Sequence, residues 1–339
     1  MALLATQPLL CLCQTHFSTL PRPTAFSCIP PSLSLSHPQP ILYPCKPWST
    51  TPFSAPIHIV CGATRRKSTA LSSRSTSEGS HRDDCLRQVL QLALWTAEAV
   101  YILWLFLLPY APGDPVWAIS SDTINALIGL SLNFFFILPL ANAVGIRLID
   151  APVLHPMSEG LFNFVIGWTL MFAPLLFSDC KRDRYKNSLD VLWVLQMFLT
   201  NTFLIPYMAI RLNKADAESR PEELSPLGSA MTNGAALVGI VGGAVCLLSA
   251  IWGLYGRMDG DFGNITDRWQ YLVSYLDSER LAYAFIWDIC LYTIFQPWLI
   301  GENLQNVEKS RVSVVSYLRF IPVVGLVAYL LFLDLEKEQ

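Results

Sequence analysis

The sequence predicts an all-α protein: a polytopic transmembrane helix bundle of about seven spans, with six to eight compatible with its hydropathy, behind a disordered N-terminal presequence. Three observations predict it. Hydrophobic residues make up 53% of the 339-residue chain and charged residues 14%, against roughly 25% charged in soluble domains. The apolar residues gather in runs of the length that a helix needs to cross a bilayer, about 20 residues. The first 77 residues contain no Asp or Glu at all.

Residues 1–77 hold 21 Ser/Thr and 11 Pro, with six basic residues, and show no sustained helical or strand period. Acid-poor, hydroxyl-rich composition is the mark of an organelle transit peptide, and the abundance of proline points to a chloroplast rather than a mitochondrial one. Ile59-Val60-Cys61 before Gly62 fits a processing site, just ahead of Arg65-Arg66-Lys67. This divides the chain into a chloroplast transit peptide over 1–61, a disordered linker over 62–88 and a transmembrane helical domain over 89–339, placed in the thylakoid or inner envelope membrane. Five of the nine cysteines fall in the presequence; Cys85, Cys180, Cys246 and Cys290 are far apart and form no metal-ligand spacing. The net charge of −3 gives no reason to expect nucleic acid as a partner.

Seven segments qualify as spans: Leu90–Leu108, Ile124–Val144, Gly160–Phe177, Val191–Ile210, Ala235–Leu254, Leu281–Ile300 and Val312–Leu333. The longest connection, Arg257–Arg280, carries Trp269, Tyr271, Leu272, Tyr275 and Leu276 at helical spacing, so a short helix lying on the bilayer is expected there. The charged loop Arg211–Leu224, with Pro221, reads as a hinge between a four-helix and a three-helix part. With seven crossings the loop arginines and lysines divide eight against eight, and the positive-inside rule decides no orientation; only Arg65–Arg74 draws the N-terminus toward the stroma.

Two acids interrupt the spans: Glu98 in the first and Asp288 in the sixth. An ionised carboxylate at mid-membrane costs about 2.5–3.5 kcal/mol on insertion scales, so such residues face a polar interior and often mark function. They also fasten helices together, and both readings stand at this point. Asp288 is followed by Tyr292, Gln296, the helix-kinking Pro297, Glu302 and Asn303. Glu98, Asp288, Tyr292, Gln296, Glu302 and Asn303 are therefore the candidate ligand-lining residues. The amides Asn133, Asn142, Asn163, Gln196 and Asn201 form a second set, whose commoner job is packing by interhelical hydrogen bonds. Arg319, in the last span, is placed either to pair with one of the acids or to snorkel to the interface. Gly239 and Gly243 form a small-xxx-small pair in the fifth helix, serving a contact inside the chain or a homo-oligomer of two copies.

No phosphate-cradling loop, dinucleotide fingerprint or nucleophile elbow is present. After the presequence only His81 and His155 remain, too few for haem or di-metal chemistry. No cofactor and no catalytic residue are assigned. An enzyme of redox or hydrolytic type is disfavoured, while a cofactor-free isomerase of a lipid-soluble substrate stays open.

The presequence and apolar core resemble a family of plastid-targeted multi-spanning membrane proteins of plants and cyanobacteria without an assigned activity. The last 60 or so residues carry a more specific likeness. Ser278-Glu279, the helix with Asp288, Gly301-Glu302-Asn303-Leu304, Ser313-Val314 and Phe320-Ile-Pro322-Val323-Val-Gly325 are similar to the end of the plastid membrane proteins required for neoxanthin formation. That resemblance implies a role in carotenoid metabolism and a carotenoid or other lipid-soluble ligand. Those proteins are shorter, with about four spans, and no functional residue is carried over from them. Three functions follow as expectations: ligand binding or transport within the membrane, assembly of a photosynthetic membrane complex, and carotenoid-pathway catalysis.

Overall fold

The computed structural model describes residues 74–185, 188–214, 224–258 and 260–335, with side chains from Asp84 onward. The transit peptide expected over 1–61 lies outside them. All regular structure in the described residues is helical, apart from one isolated antiparallel bridge between Val307 and Leu333. Five helices are long and apolar enough to cross a membrane.

The first, α1, runs Arg74–Ile102 and continues through a π-type turn at Leu103–Leu107. The linker expected over 62–88 is therefore helical from Arg74 on. α2 (Ser121–Leu132) and α3 (Ile137–Ala143) follow. Next comes α4 (Pro156–Phe177), with Pro156 at the position where a missing N–H costs nothing. α5 (Leu189–Leu199) and α6 (Asn201–Ile210) form the fourth apolar segment. The short α7 (Pro226–Asn233) leads into α8 (Ala235–Tyr255). α9 (Ile265–Ser278) begins with a capping box between Asn264 and Asp267; it is the helix expected within Arg257–Arg280, and Ile265, Trp269 and Val273 lie exposed along one stripe. α10 (Arg280–Glu302), α11 (Val312–Leu318) and α12 (Val324–Leu331) complete the chain.

The central element is α4. Of its most apolar window 83% is buried, against 22–39% for the other four long helices. α8 runs antiparallel along it at close range. A Cβ on Gly160 would lie 2.6 Å from the Ser249 carbonyl oxygen, so only glycine allows the two backbones to approach so nearly. α10 runs parallel to α4, joined by Thr169 and the Tyr292 hydroxyl at 2.6 Å and by Trp168 Nε1 donating to Gln296 Oε1 at 3.0 Å. α1 is antiparallel to both. Its stripe Arg87, Gln91, Leu94, Glu98, Tyr101 and Leu105 keeps the three-and-four spacing of one helix face. Arg87 donates to the Leu212 carbonyl and Gln91 to the Ala209 carbonyl, which sets its register on α6. At the far end of α1, Arg280 donates to the carbonyls of Leu105, Leu108, Ala111, Pro112 and Gly113. Gly113 (φ +72°) packs so tightly there that a Cβ would come 2.5 Å from the Arg280 nitrogen.

Seven crossings are not what the structure shows. Three of the seven apolar segments are broken at residues with positive φ: Phe135 and Phe136 (52° and 57°), Thr200 (41°) and Val323 (64°). For non-glycine residues such backbone costs of order 1–3 kcal/mol each, and the freed backbone groups need partners inside a membrane. A polar side chain from a neighbouring helix supplies them at each break. Asn163 Oδ1 accepts from the Phe135 N–H at 2.6 Å, and its amide donates to the Asn133 carbonyl. Gln296 Oε1 accepts from the Val323 N–H at 3.2 Å, and its amide donates to the Arg319 and Ile321 carbonyls at 3.0 Å. Asp288 serves the Thr200 break.

Both ends of the α5–α6 segment lie at the C-terminal end of α4. Tyr185 Oη donates to the Tyr207 carbonyl at 2.9 Å, and Arg211 pairs with Asp179. The segment is thus a re-entrant hairpin whose arms, of 11 and 10 residues, reach roughly 15–17 Å each. The α11–α12 segment folds back likewise: Glu308 N donates to the Phe332 carbonyl and Asp334 N to the Asn306 carbonyl. At the opposite end of the bundle, Thr123 of α2 donates to Glu279 and Asn133 reaches Glu159 in the first turn of α4. Beyond that break only the seven residues of α3 remain, about 10 Å of helix and too short to cross. Four helices, α1, α4, α8 and α10, run from one end of the bundle to the other.

The expected division at Arg211–Leu224 is also overturned, because α4 and α8, from opposite sides of it, form the tightest helix pair. Within that loop, residues 215–223 lie outside the described ones. The Gly239 and Gly243 face of α8 is covered inside the chain by Leu330 and Val327 of α12, which leaves it no surface for a second copy. Arg319 pairs with neither acid; its guanidinium lies 4.6 Å from the Phe320 ring centroid.

Candidate functional site

The six residues proposed to line one site are spread along the bundle. Asp288 and Glu302 are 14 residues apart on α10, roughly 21 Å along the axis. Glu302 and Asn303 belong to an ionic network at one end. There Arg211, fully buried, makes a two-pronged bond to Asp179 (2.5 and 2.8 Å) and a further bond to Glu302 (2.6 Å). Lys181 also pairs with Glu302, Tyr207 Oη donates to Asp179, and Asn303 donates to Asp179 at 3.2 Å. Burial alone would push the Asp179 carboxyl up, but the Arg211 guanidinium holds it below the usual carboxylate range. A network satisfied this fully fastens the ends of α4, α6 and α10. Tyr292 packs on Trp168 and Phe172 with its hydroxyl bonded to Thr169, and Gln296 holds the last hairpin. Each of these four is engaged by other groups of the protein.

The opposite end of α4 is fastened in the same manner. Glu159 accepts from Asn133 at 2.5 Å, from Trp252 at 2.7 Å, and from Arg257 at 2.7 and 3.0 Å. His155 Nδ1 accepts from the Met157 N–H, capping α4, while its ring stacks on Tyr271 with centroids 3.4 Å apart. Burial, with Arg268 nearby, pushes its pKa down to about 4. Of the amide set, Asn133, Asn163 and Asn201 bond across elements through their side chains, while Asn133 Oδ1, Asn142 Oδ1, Gln196 Nε2 and Asn201 Oδ1 find no partner among the described residues.

Asp288 and Glu98 remain, both at mid-span and both within electrostatic reach of Tyr101. Asp288, 1% exposed, accepts through Oδ1 from Thr200 Oγ1 (2.7 Å), Asn201 Nδ2 (2.7 Å) and Tyr101 Oη (3.3 Å). Thr200 is the break and Asn201 the first residue of α6, so the carboxylate faces a helix N-terminus, where the backbone dipole favours negative charge. Beside it lies a cavity of about 390 Å³ between α1, α6 and α10, lined by Ala97, Val100, Tyr101, Trp104, Leu105, Ile205, Trp287 and Leu291. Val100, Trp104 and Trp287 are exposed at its rim, so it opens laterally, toward the acyl chains. Its lining residues are apolar apart from the Tyr101 hydroxyl and the indole N–H groups of Trp104 and Trp287. Tyr101, Thr200, Arg211 and Glu159 escaped the sequence reading. The spacing Glu98-x-x-Tyr101 was the one available signal, since it sets a hydroxyl one turn from a mid-span acid.

Such a groove, in a polytopic helical membrane protein and beside a carboxylate that caps a broken helix, is able to hold an apolar molecule and orient one polar end of it. It contains no arrangement of nucleophile and base, and among the described residues no group of His, Cys, Asp and Glu is placed to hold a metal ion. No family model, curated protein or solved structure matches the chain.

Proposed function

We propose that this is an integral chloroplast membrane protein that binds a small lipid-soluble ligand in the groove between α1, α6 and α10. The observation that carries the reading is an apolar cavity, open at mid-span, with the Tyr101 hydroxyl of its wall hydrogen-bonded to Asp288. The volume suits a small ligand, and a lateral mouth admits molecules dissolved in the membrane. The chloroplast assignment, in thylakoid or inner envelope, rests on the acid-free, hydroxyl-rich residues 1–61; N-terminal sequencing of the mature protein that returned an intact Met1 would overturn it. The C-terminal resemblance makes a carotenoid the first candidate ligand.

The test is to purify the protein in lipid nanodiscs, extract it with solvent and identify bound small molecules by mass spectrometry. A molecule present in stoichiometric amount in the wild type and missing from Ala97→Trp, which fills the groove, supports the reading. Bulk lipid alone in both proteins refutes it. A second reading, an assembly factor for a photosynthetic complex, is favoured by the ionic networks at both ends of α4, which make a rigid scaffold. Selective loss of one complex in a plant lacking the protein, with unchanged pigments, would support that reading instead.

A further inference from the structure

We infer that the molecule held in the groove ends in a hydroxyl group, and that Glu98 is the residue that receives it. This rests on the groove reading above. Every other deeply buried acid described so far is saturated by the protein: Glu159 by Asn133, Trp252 and Arg257, Asp179 by Arg211, Tyr207 and Asn303, Asp288 by Thr200, Asn201 and Tyr101. Glu98 is the exception. Its side chain is 6% exposed, and its inner oxygen, Oε2, has no partner among the described residues. A buried polar group left unpaired is costly, and in a membrane span it marks a place where something else binds.

Position points the same way. Glu98 is not itself a lining residue of the groove but borders three that are: it follows Ala97 directly and precedes Tyr101 by three residues and Leu105 by seven, which sets it at the groove's edge on the same helix face. The antiparallel register fixed by Arg87 on Leu212 and Gln91 on Ala209 carries Glu98 to the level of Thr202 on α6. Thr202 Oγ1 and the neighbouring Asn201 Oδ1 are buried oxygens at that level that also have no partner among the described residues. A carboxylate needs a donor and a threonine hydroxyl needs an acceptor or a donor. A ligand hydroxyl serves both at once. An ammonium would bring a second full charge into an apolar, membrane-facing groove, a carboxylate is repelled by Glu98, and a bare hydrocarbon leaves both oxygens unpaired.

The experiment compares dibromostearyl alcohol, its methyl ether and dibromo-octadecane as quenchers of tryptophan fluorescence, with the protein in phosphatidylcholine nanodiscs. Trp104 and Trp287 in the groove wall report entry of the brominated chain. The wild type should bind the alcohol about tenfold more tightly than the ether or the hydrocarbon, the value of one hydrogen bond to a charged group. Glu98→Met should reduce that ratio to about one while retaining hydrocarbon binding, and Glu98→Gln should keep part of it. Equal affinity of the wild type for alcohol and ether overturns the inference, and needs no variant to be folded. Leu291→Trp separates the two levels: quenching by all three probes that survives it overturns the groove itself, whereas quenching lost with no preference for the alcohol overturns the role of Glu98 alone.

Discussion

Asp288 gathers three donors on one oxygen, and two of them, Thr200 and Asn201, come from the break in the fourth segment. Bonds of this kind between membrane helices contribute about 0.6–2 kcal/mol each. Asp288→Leu should therefore destabilise the protein by roughly 2–5 kcal/mol, because it strands all three donors at mid-span. Asp288→Asn keeps one carbonyl acceptor and should cost distinctly less. Thermal unfolding of the two variants in detergent, followed by tryptophan fluorescence, checks the order, and a leucine variant as stable as the asparagine one would remove the capping role. His155 gives a prediction in pH. Its pKa falls from near 6.5 in the unfolded chain to about 4 in the fold, so between those values the unfolded state binds more protons. The stability that neutral His155 contributes is complete above about pH 6.5 and is lost as pH falls toward 4. The loss has a structural cause, since a protonated Nδ1 cannot accept from the Met157 N–H. His155→Asn, which keeps a capping acceptor without the titration, should flatten that part of the curve of melting temperature against pH.

Among elements, length and hydropathy located every apolar helix but not whether each crosses. Hydropathy responds to composition, and a re-entrant arm must be as apolar as a spanning one. The breaks were hidden for a local reason. Two of the three fall at Phe135–Phe136 and Thr200, residues with no special tolerance for positive φ, while Pro174, Pro206 and Pro297 sit inside continuous helix. Pro322 adjoins the Val323 break, and Pro139 lies in the first turn after the one at Phe135–Phe136. What holds each break is a polar side chain distant in sequence, and its partner is visible only once the helices are packed. Asp288 was legible as an unusual residue; its pairing with Thr200, 88 positions away, was not. The glycines were legible as close-packing positions but not their partners. Gly160→Val should push α8 away from α4 and cost several kcal/mol by overpacking against the Ser249 carbonyl. Val241→Leu, on the exposed face of α8, should be nearly neutral. Comparing their unfolding midpoints tests whether α4 and α8 form the spine of the bundle.

Taken over the whole molecule, a topology in which only the four end-to-end helices cross changes the charge balance. The described residues of the connections Ser178–Ser188, Arg211–Ser225 and Asn303–Arg311, with the start of α1, lie at the Asp179 end. There the described basic side chains are Arg87, Lys181, Arg182, Arg184, Arg211, Lys214, Lys309 and Arg311; at the His155 end they are Arg147, Arg257, Arg268 and Arg280. Eight against four is a bias that the positive-inside rule can use, where seven crossings left the two sides equal. The Asp179 end, with both ends of the described helical domain, should therefore face the compartment from which the protein inserts, the stroma if it is plastidic. Labelling decides between the two topologies. Single cysteines at Lys181 and Lys214, in a chain freed of its other thiols, should react with a membrane-impermeant maleimide from the same side of sealed vesicles, and one at Asp150 from the other. Seven crossings would put Lys181 and Lys214 on opposite sides. The buried pair between Asp179 and Arg211 is what forbids that arrangement, since it joins the C-terminal end of α4 to that of α6. If the two sites label from opposite sides, the hairpin is a span, Thr200 no longer meets Asp288 from a re-entrant tip, and the groove beside it loses its inner wall.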